Sequence, residues 1–363
     1  MYFKHKIFAL LFNFFNFFPG ENNKVSFITD SNKSFKGNFD YIQKELEKQG
    51  NFQFNFFFKD KFSLKSLYLL SKSKFVFLND NFFPLAFMNI KKDVKVSQIW
   101  HAPGAFKKFG ASVLTDENEK SIVKKLSSKT DYLFISSDKI KKFYMEAFSI
   151  NNTKIKPFGT PRCDFYFNND LDVGEIKNNF YKKYPESKNK KIVLYAPTFR
   201  NKEEYNDVFN YFDLNKFYEY FGDEYIFTLR LHPKIKKYIN KEFENNSSFI
   251  NLTEYENEQE LLMIADVLIT DYSSVMIEFA LLNKPIIFFT YDLDYYINED
   301  RGFYFDFKKF APGIIVEDMD QLINNFKNID FKNIDNEKFL SYQFNDFDGK
   351  SSKRIVDFML NNR

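Results

Sequence analysis

The stretch from Ala265 to Thr290, ADVLITDYSSVMIEFALLNKPIIFFT, constrains this chain more than any other. It reads as strand, tight loop, helix, strand. Val267 to Ile269 form an apolar run, Asp271 and Tyr272 close it, and Ser273 and Ser274 stand where a helix begins. Val275 to Leu282 carry the helical period, and Pro285 to Phe289 resume an apolar strand. Its loop has two readings. Backbone N–H groups, the positive end of a helix dipole and two hydroxyls suit a phosphate. The same Asp and Ser residues are also ordinary helix caps.

The rest of the chain repeats this unit. Strand patterns fall at Val25–Thr29, Phe52–Phe58, Phe75–Leu78, Val94–Trp100, Tyr132–Ser136 and Lys154–Phe158, with helices at Phe39–Lys48, Leu64–Ser71 and Lys139–Phe148 among them. A polar stretch from Asn168 to Lys191 follows. A second series then runs through Lys191–Ala196, Tyr225–Leu231 and Phe249–Leu252 into the stretch above. Nearly continuous apolar strands joined through helices imply parallel sheets covered on both faces. The 363 residues suit two domains. The expected division is an N-terminal segment 1–19, a Rossmann-like domain 20–168 and a second Rossmann-like domain 169–363. The last helix pattern, Ser351–Asn361, has room to pack back on the first domain.

A net charge of +3 at this size does not point to nucleic acid. The single cysteine, Cys163, allows no intrachain disulfide and suits a reducing compartment. Three histidines far apart do not make a zinc site. Near the N-terminus, Lys4 and Lys6 flank an apolar run too short to span a membrane. Asn13 and Asn16 share one helical face, with Leu10, Leu11, Phe14, Phe15 and Phe18 on much of the rest. That pattern predicts a helix lying in a membrane interface; the alternative is a helix docked on the protein's own core.

Ligands of open α/β sheets bind at the carboxyl ends of the strands. His101 ends one strand, Arg200 follows YAPTF, Arg230 and His232 end LRLHP, and Asp271, Ser273 and Ser274 end the strand of the opening stretch. Strand position therefore assigns all of them to one cleft. The plainer roles are His101 capping a loop and His232 hydrogen-bonded in a core. There is no GxGxxG and no Walker lysine loop. Asp292 and Asp294 form a DxD triplet, but two more such triplets in this Asp-rich chain strip it of meaning as a metal signature, and no metal ligands are assigned. Lys107 and Lys108 fit either a solvated loop or contacts to an anionic acceptor.

In order along the chain stand VSQIWHAPGAFKKFG, FGTPRCD, LYAPTFR, LRLHP, ITDYSSVMIEFALLNKPIIFFTYDLDYY and RGFYFDF. Together they resemble the CDP-glycerol glycerophosphotransferase family, whose members build teichoic acids and related capsular polymers. The resemblance covers about Val25 to Gly313 and is most specific towards the C-terminus. It implies a GT-B-type α/β fold, two Rossmann-like domains whose parallel sheets face a central cleft, at the cytoplasmic face of the membrane as a peripheral protein. It implies His101 of the Trp100-His101 pair as general base, with Trp100, Lys107 and Lys108 toward the acceptor. His232 of the His-Pro pair would contact the donor diphosphate, and Ser273 and Ser274 would hold its phosphate. Arg200 and Arg230 would offset its charge. Glu278 stands where the family often has aspartate; it either reaches the ribose or orients a serine, or is a solvated surface acid. Ala102 departs from the family's glycine after the histidine, which bears on the acceptor. The implied reaction moves glycerol phosphate from CDP-glycerol to a hydroxyl of a lipid-linked or polymeric acceptor and releases CMP. CDP-ribitol as donor and a nucleotide-sugar glycosyltransferase are the alternatives. No cofactor is assigned, and Mg²⁺ stays open as an aid.

Overall fold

The computed structural model describes residues 2–31, 35–239, 243 and 246–362. The chain divides into two compact units. The first joins Met1–Phe167 to Tyr342–Arg363, and the second is Asn168–Ser341.

The first unit is built on six strands: β1 (Lys24–Thr29), β2 (Gln53–Phe58), β3 (Phe75–Leu78), β4 (Lys95–Gln98), β5 (Tyr132–Phe134) and β6 (Ile155–Lys156). They pair in the order β2-β1-β3-β4-β5-β6, every pair parallel. Side chains alternate between the two faces. Val25, Phe27, Phe75 and Phe77 point to one face, where they meet Phe39, Ile42 and Leu46 of helix α1 (Asn38–Gln49) and Ile355, Val356 and Met359 of the last helix, Ser351–Asn361. Ile28, Val76, Leu78 and Val96 point to the other. The last helix thus returns to the first unit. β2 lies on one side of β1 and β3 on the other, so the strand order reverses between β1 and β3. Parallel sheets open a ligand crevice at such a point.

The N-terminal helix, Phe3–Phe15, belongs to this unit. Ala9 and Phe12 are buried against the second face of the sheet. The face shared by Asn13 and Asn16 turns toward the protein. Asn13 Oδ1 accepts from Asn89 N at 2.7 Å, and Asn16 Nδ2 donates to Asn89 O at 2.7 Å, clamping the helix to the protein. The outward face is apolar instead: Phe3 is 75% exposed, Leu10 70% and Phe14 61%.

The second unit repeats the plan with β7 (Lys191–Ala196), β8 (Tyr225–Leu229), β9 (Phe249–Asn251), β10 (Val267–Thr270), β11 (Ile286–Phe289) and β12 (Ile314–Val316). The order is β12-β11-β10-β7-β8-β9, again all parallel. Its reversal lies between β7 and β10. Two elements have weak sequence patterns and were not expected. β12 is a three-residue edge strand. The helix Glu117–Lys129 buries only Ile122, Val123, Leu126 and Ser127 within a lysine-rich run, and Asp116 caps it through Asn118 N and Glu119 N.

Candidate functional site

In the first unit the chain leaves β4 at Gln98, and Trp100 takes a left-handed backbone with φ +65°. That turn brings His101 Nδ1 to 3.2 Å from Asp80 Oδ1, with Asn79 O at 3.4 Å. Asp80 follows the end of β3, the strand beside β4. It is buried, and its other oxygen accepts from Thr29 Oγ1 and Asp30 N, both at 3.1 Å. The carboxylate is therefore anchored at the end of β1 and aimed at the imidazole. A carboxylate beside Nδ1 keeps a proton on that nitrogen and leaves the Nε2 lone pair to take another. His101 keeps about a third of its side chain exposed, at 32%. Asp80 was not among the expected site residues. The clue in the sequence was an acid at the C-terminal end of FVFLND, the same strand-end criterion that found His101.

Trp100 packs its ring 4.1 Å from that of His101, stacks on Phe109 at 5.3 Å and meets Phe148 edge-on at 5.1 Å. Lys107 and Lys108 are half-buried in the loop that follows. This loop is fastened from far along the chain. Gln343, fully buried, accepts from Ala105 N at 2.8 Å and donates to Ala105 O at 3.0 Å. Tyr144 Oη donates to Gly104 O at 2.7 Å. The GTPRCD motif has a structural part. Asp164 accepts from Ser351 N at 2.9 Å and Ser352 N at 2.8 Å, capping the last helix. Gly159, at φ +102°, lets that helix approach, since a Cβ there would sit 2.1 Å from Ser351 Oγ.

In the second unit Arg200 is not presented to solvent as a diphosphate ligand would be. Its side chain is fully buried. Nη1 donates to Asp271 Oδ2 at 2.6 Å, while Nε and Nη2 donate to the two oxygens of Asp292 at 2.6 and 2.9 Å. Burial opposes its charge, but the two carboxylates outweigh that and hold the guanidinium protonated. Asp271 also accepts from Thr198 N at 2.9 Å and from Tyr272 N. One buried cluster thus ties together the loops after β7, β10 and β11. Asp292 is consumed here, so the DxD triplet is not an open metal site. Among the described residues no group of three or more His, Cys, Asp or Glu could hold a metal ion.

The Ser pair sits on the loop this cluster secures. Ser274 has helical angles and makes no side-chain capping bond; Ser273 Oγ only approaches Val275 N at 3.5 Å. Asp271 is spent on Arg200. The capping reading of this loop therefore holds only for the long Ser273 contact and not for Ser274. Glu278 is buried, which removes the surface-acid reading.

His232 is exposed, not in a core. Its Nδ1 accepts from Lys234 N at 3.2 Å, so in the neutral ring Nε2 carries the proton and can donate. Its ring lies 4.7 Å from that of Phe199. Two cations share that ring, Lys234 Nζ at 4.2 Å and Arg301 Cζ at 5.3 Å. Three potential donors to an anion therefore surround Phe199. Arg301 opens RGFYFDF but ends no strand, so strand position could not find it. Arg230, expected beside His232, instead donates through Nη1 to Leu252 O at 3.0 Å and Tyr255 O at 2.8 Å, securing the loop after β9.

The model of the CDP-glycerol:poly(glycerophosphate) glycerophosphotransferase family matches residues 10–361. The chain is 37% identical over 365 residues to the teichoic acid poly(ribitol-phosphate) polymerase of Bacillus spizizenii, covering 97% of this chain and 58% of that protein. It is 35% identical over 308 residues to the teichoic acid glycerol-phosphate primase of Bacillus subtilis, covering 82% of this chain and 76% of that one. It spans less than two thirds of some relatives, 65% of the teichoic acid ribitol-phosphate polymerase TarL of Staphylococcus aureus among them. The wall teichoic acid polymerase TagF has the same fold, with a TM-score of 0.81 at 24% identity over 99% of this chain and 93% of that one.

Proposed function

The chain belongs to the CDP-glycerol:poly(glycerophosphate) glycerophosphotransferase family, and from this we propose that it transfers a polyol phosphate from CDP-glycerol to the hydroxyl of a teichoic-acid-type acceptor. The observation that carries the reading is the His101–Asp80 contact at 3.2 Å. The acceptor hydroxyl attacks the β-phosphorus, its proton passes to His101 Nε2, the bond to CMP breaks, and a phosphodiester forms. Such transfer depends on positioning and on offsetting charge. Asp80 stabilises the imidazolium that results. His232, Lys234 and Arg301 offer N–H donors to the diphosphate, with the Ser273 and Ser274 hydroxyls in the same unit. Arg200 acts through Asp271 and Asp292, holding the loops in place.

A second reading takes CDP-ribitol as donor. The 37% identity to a poly(ribitol-phosphate) polymerase favours it. Incubation with each donor and an acceptor analogue, with CMP measured, tests both. Release of CMP from neither would defeat the proposal, and release of a nucleoside diphosphate from a nucleotide sugar would replace it with glycosyl transfer. The same assay with EDTA reads any contribution of Mg²⁺.

The site of action is the membrane surface, through the N-terminal helix. Its face of Phe3, Leu10 and Phe14 continues into Phe17, 89% exposed, and is flanked by Lys4 and Lys6. An apolar helical face edged by lysines suits an anionic bilayer interface. Among the described residues no helix is long and apolar enough to cross a membrane.

A further inference from the structure

We propose that Asn38 is a positioning residue that sets the His101–Asp80 contact by holding Trp100 in its left-handed backbone. This rests on His101 being the base of the proposed reaction.

Asn38 opens α1, far in sequence from the residues it serves, and is 2% exposed. Its amide makes three hydrogen bonds. Nδ2 donates to Asn79 Oδ1 at 3.0 Å and to Trp100 O at 2.7 Å, and Oδ1 accepts from Arg162 N at 2.9 Å. A carbonyl can only accept and a backbone N–H can only donate, so these two partners settle which way the amide points. Each Nδ2 partner sits one residue before a member of the pair: Asn79 precedes Asp80, and Trp100 precedes His101.

A tryptophan does not take φ +65° without support. Trp100 is held at both of its backbone polar groups, in the peptide units on either side of its Cα. Its N–H donates to Gln98 Oε1 at 2.9 Å, and its carbonyl is fixed by Asn38. If that carbonyl were free, the backbone would relax towards the ordinary extended region. The imidazole, one residue on, would swing away from Asp80. The buried carboxylate, anchored to Thr29 and Asp30, could not follow. Asn38 thus joins the loops after β3 and β4 and the segment around Arg162 at the point where the strand order reverses.

The test compares the wild-type chain with Asn38→Ala, following CMP release and the ¹⁵N spectrum of the histidines, assigned with a His101→Gln variant. We expect kcat to fall about 30-fold or more, as a shift of about 1 Å at a reacting group does, with the donor KM within about twofold. In the wild type the His101 signals should show protonated Nδ1 and bare Nε2; in Asn38→Ala they should average between tautomers. In a Trp100→Gly background, where glycine takes the left-handed region freely, removing Asn38 should cost no more than about threefold. Unchanged kcat and tautomer in Asn38→Ala, or an equal loss in both backgrounds, would overturn the proposal. Should Asn38→Ala not fold, Asn38→Asp carries the same expectation, since a carboxylate would face the Trp100 carbonyl. If the wild type released no CMP while the tautomer still changed, the function would be wrong and the role of Asn38 would stand.

Discussion

The imidazole of His101 stands 3.2 Å from the carboxylate of Asp80, and each comes from the end of a different strand of one parallel sheet. The two oxygens of Asp80 divide their work, one toward the imidazole and one toward Thr29 and Asp30. Asp80→Asn would keep the shape and offer His101 an amide N–H, favouring the wrong tautomer. We expect kcat to fall about 100-fold or more with donor binding intact. Turnover near that of the wild type would show that His101 works without its partner.

Arg200 serves the fold before it serves the substrate. Arg200→Met leaves Asp271 and Asp292 buried and uncompensated. We expect a loss of about 3–5 kcal/mol, read as a lower melting temperature of the second unit. Arg200→Lys should also destabilise, since an ammonium cannot reproduce the three guanidinium contacts. An unchanged melting temperature with weakened donor binding would return Arg200 to the role of direct ligand.

The opposite pattern is expected around Phe199. Arg301→Ala and His232→Ala should leave the melting temperature within a degree or two, because both side chains reach solvent. Donor affinity should fall by about tenfold to a hundredfold for each, in keeping with the loss of a charge-assisted hydrogen bond of about 1.5–3 kcal/mol. Calorimetric titration with the CDP-polyol distinguishes this from a purely structural role.

On the N-terminal helix, Leu10→Glu combined with Phe14→Glu should abolish sedimentation with vesicles containing phosphatidylglycerol while leaving CMP release from a soluble acceptor intact. Both positions face outward, so the fold should tolerate the change. Binding that survived would mean another surface meets the bilayer.

Lys284 supplies a pH-dependent test of the second unit. Its ammonium donates to Met263 O at 2.6 Å and Ala265 O at 2.7 Å, and burial lowers its pKa to about 8. In the unfolded chain the group titrates near 10.4, so between these values the unfolded state binds more protons. Stability from this group therefore rises with pH from about 8 to 10.4 and is lost as pH falls through 8. The difference in unfolding free energy between wild type and Lys284→Gln should widen over that window in favour of the wild type. A difference independent of pH would refute the assignment.

Strand and helix periods, read along the chain, determined the two parallel α/β units and the strand ends at which chemistry would gather. His101, His232, Ser273 and Ser274 were legible for that reason, because a residue after an apolar run must emerge at the carboxyl edge of a sheet. What that reading does not contain is strand order, since pairing is non-local. Only the placement of β3 between β1 and β4 brings Asp80 to His101. Only the adjacency of β7, β10 and β11 lets Asp271 and Asp292 enclose Arg200, turning an expected ligand into an internal brace. The same limit explains Asn13 and Asn16. Polarity on a helix predicts water, yet the backbone N–H and C=O of a neighbouring segment, here those of Asn89, take hydrogen bonds as well, and tertiary packing decided which of the two the asparagines would meet.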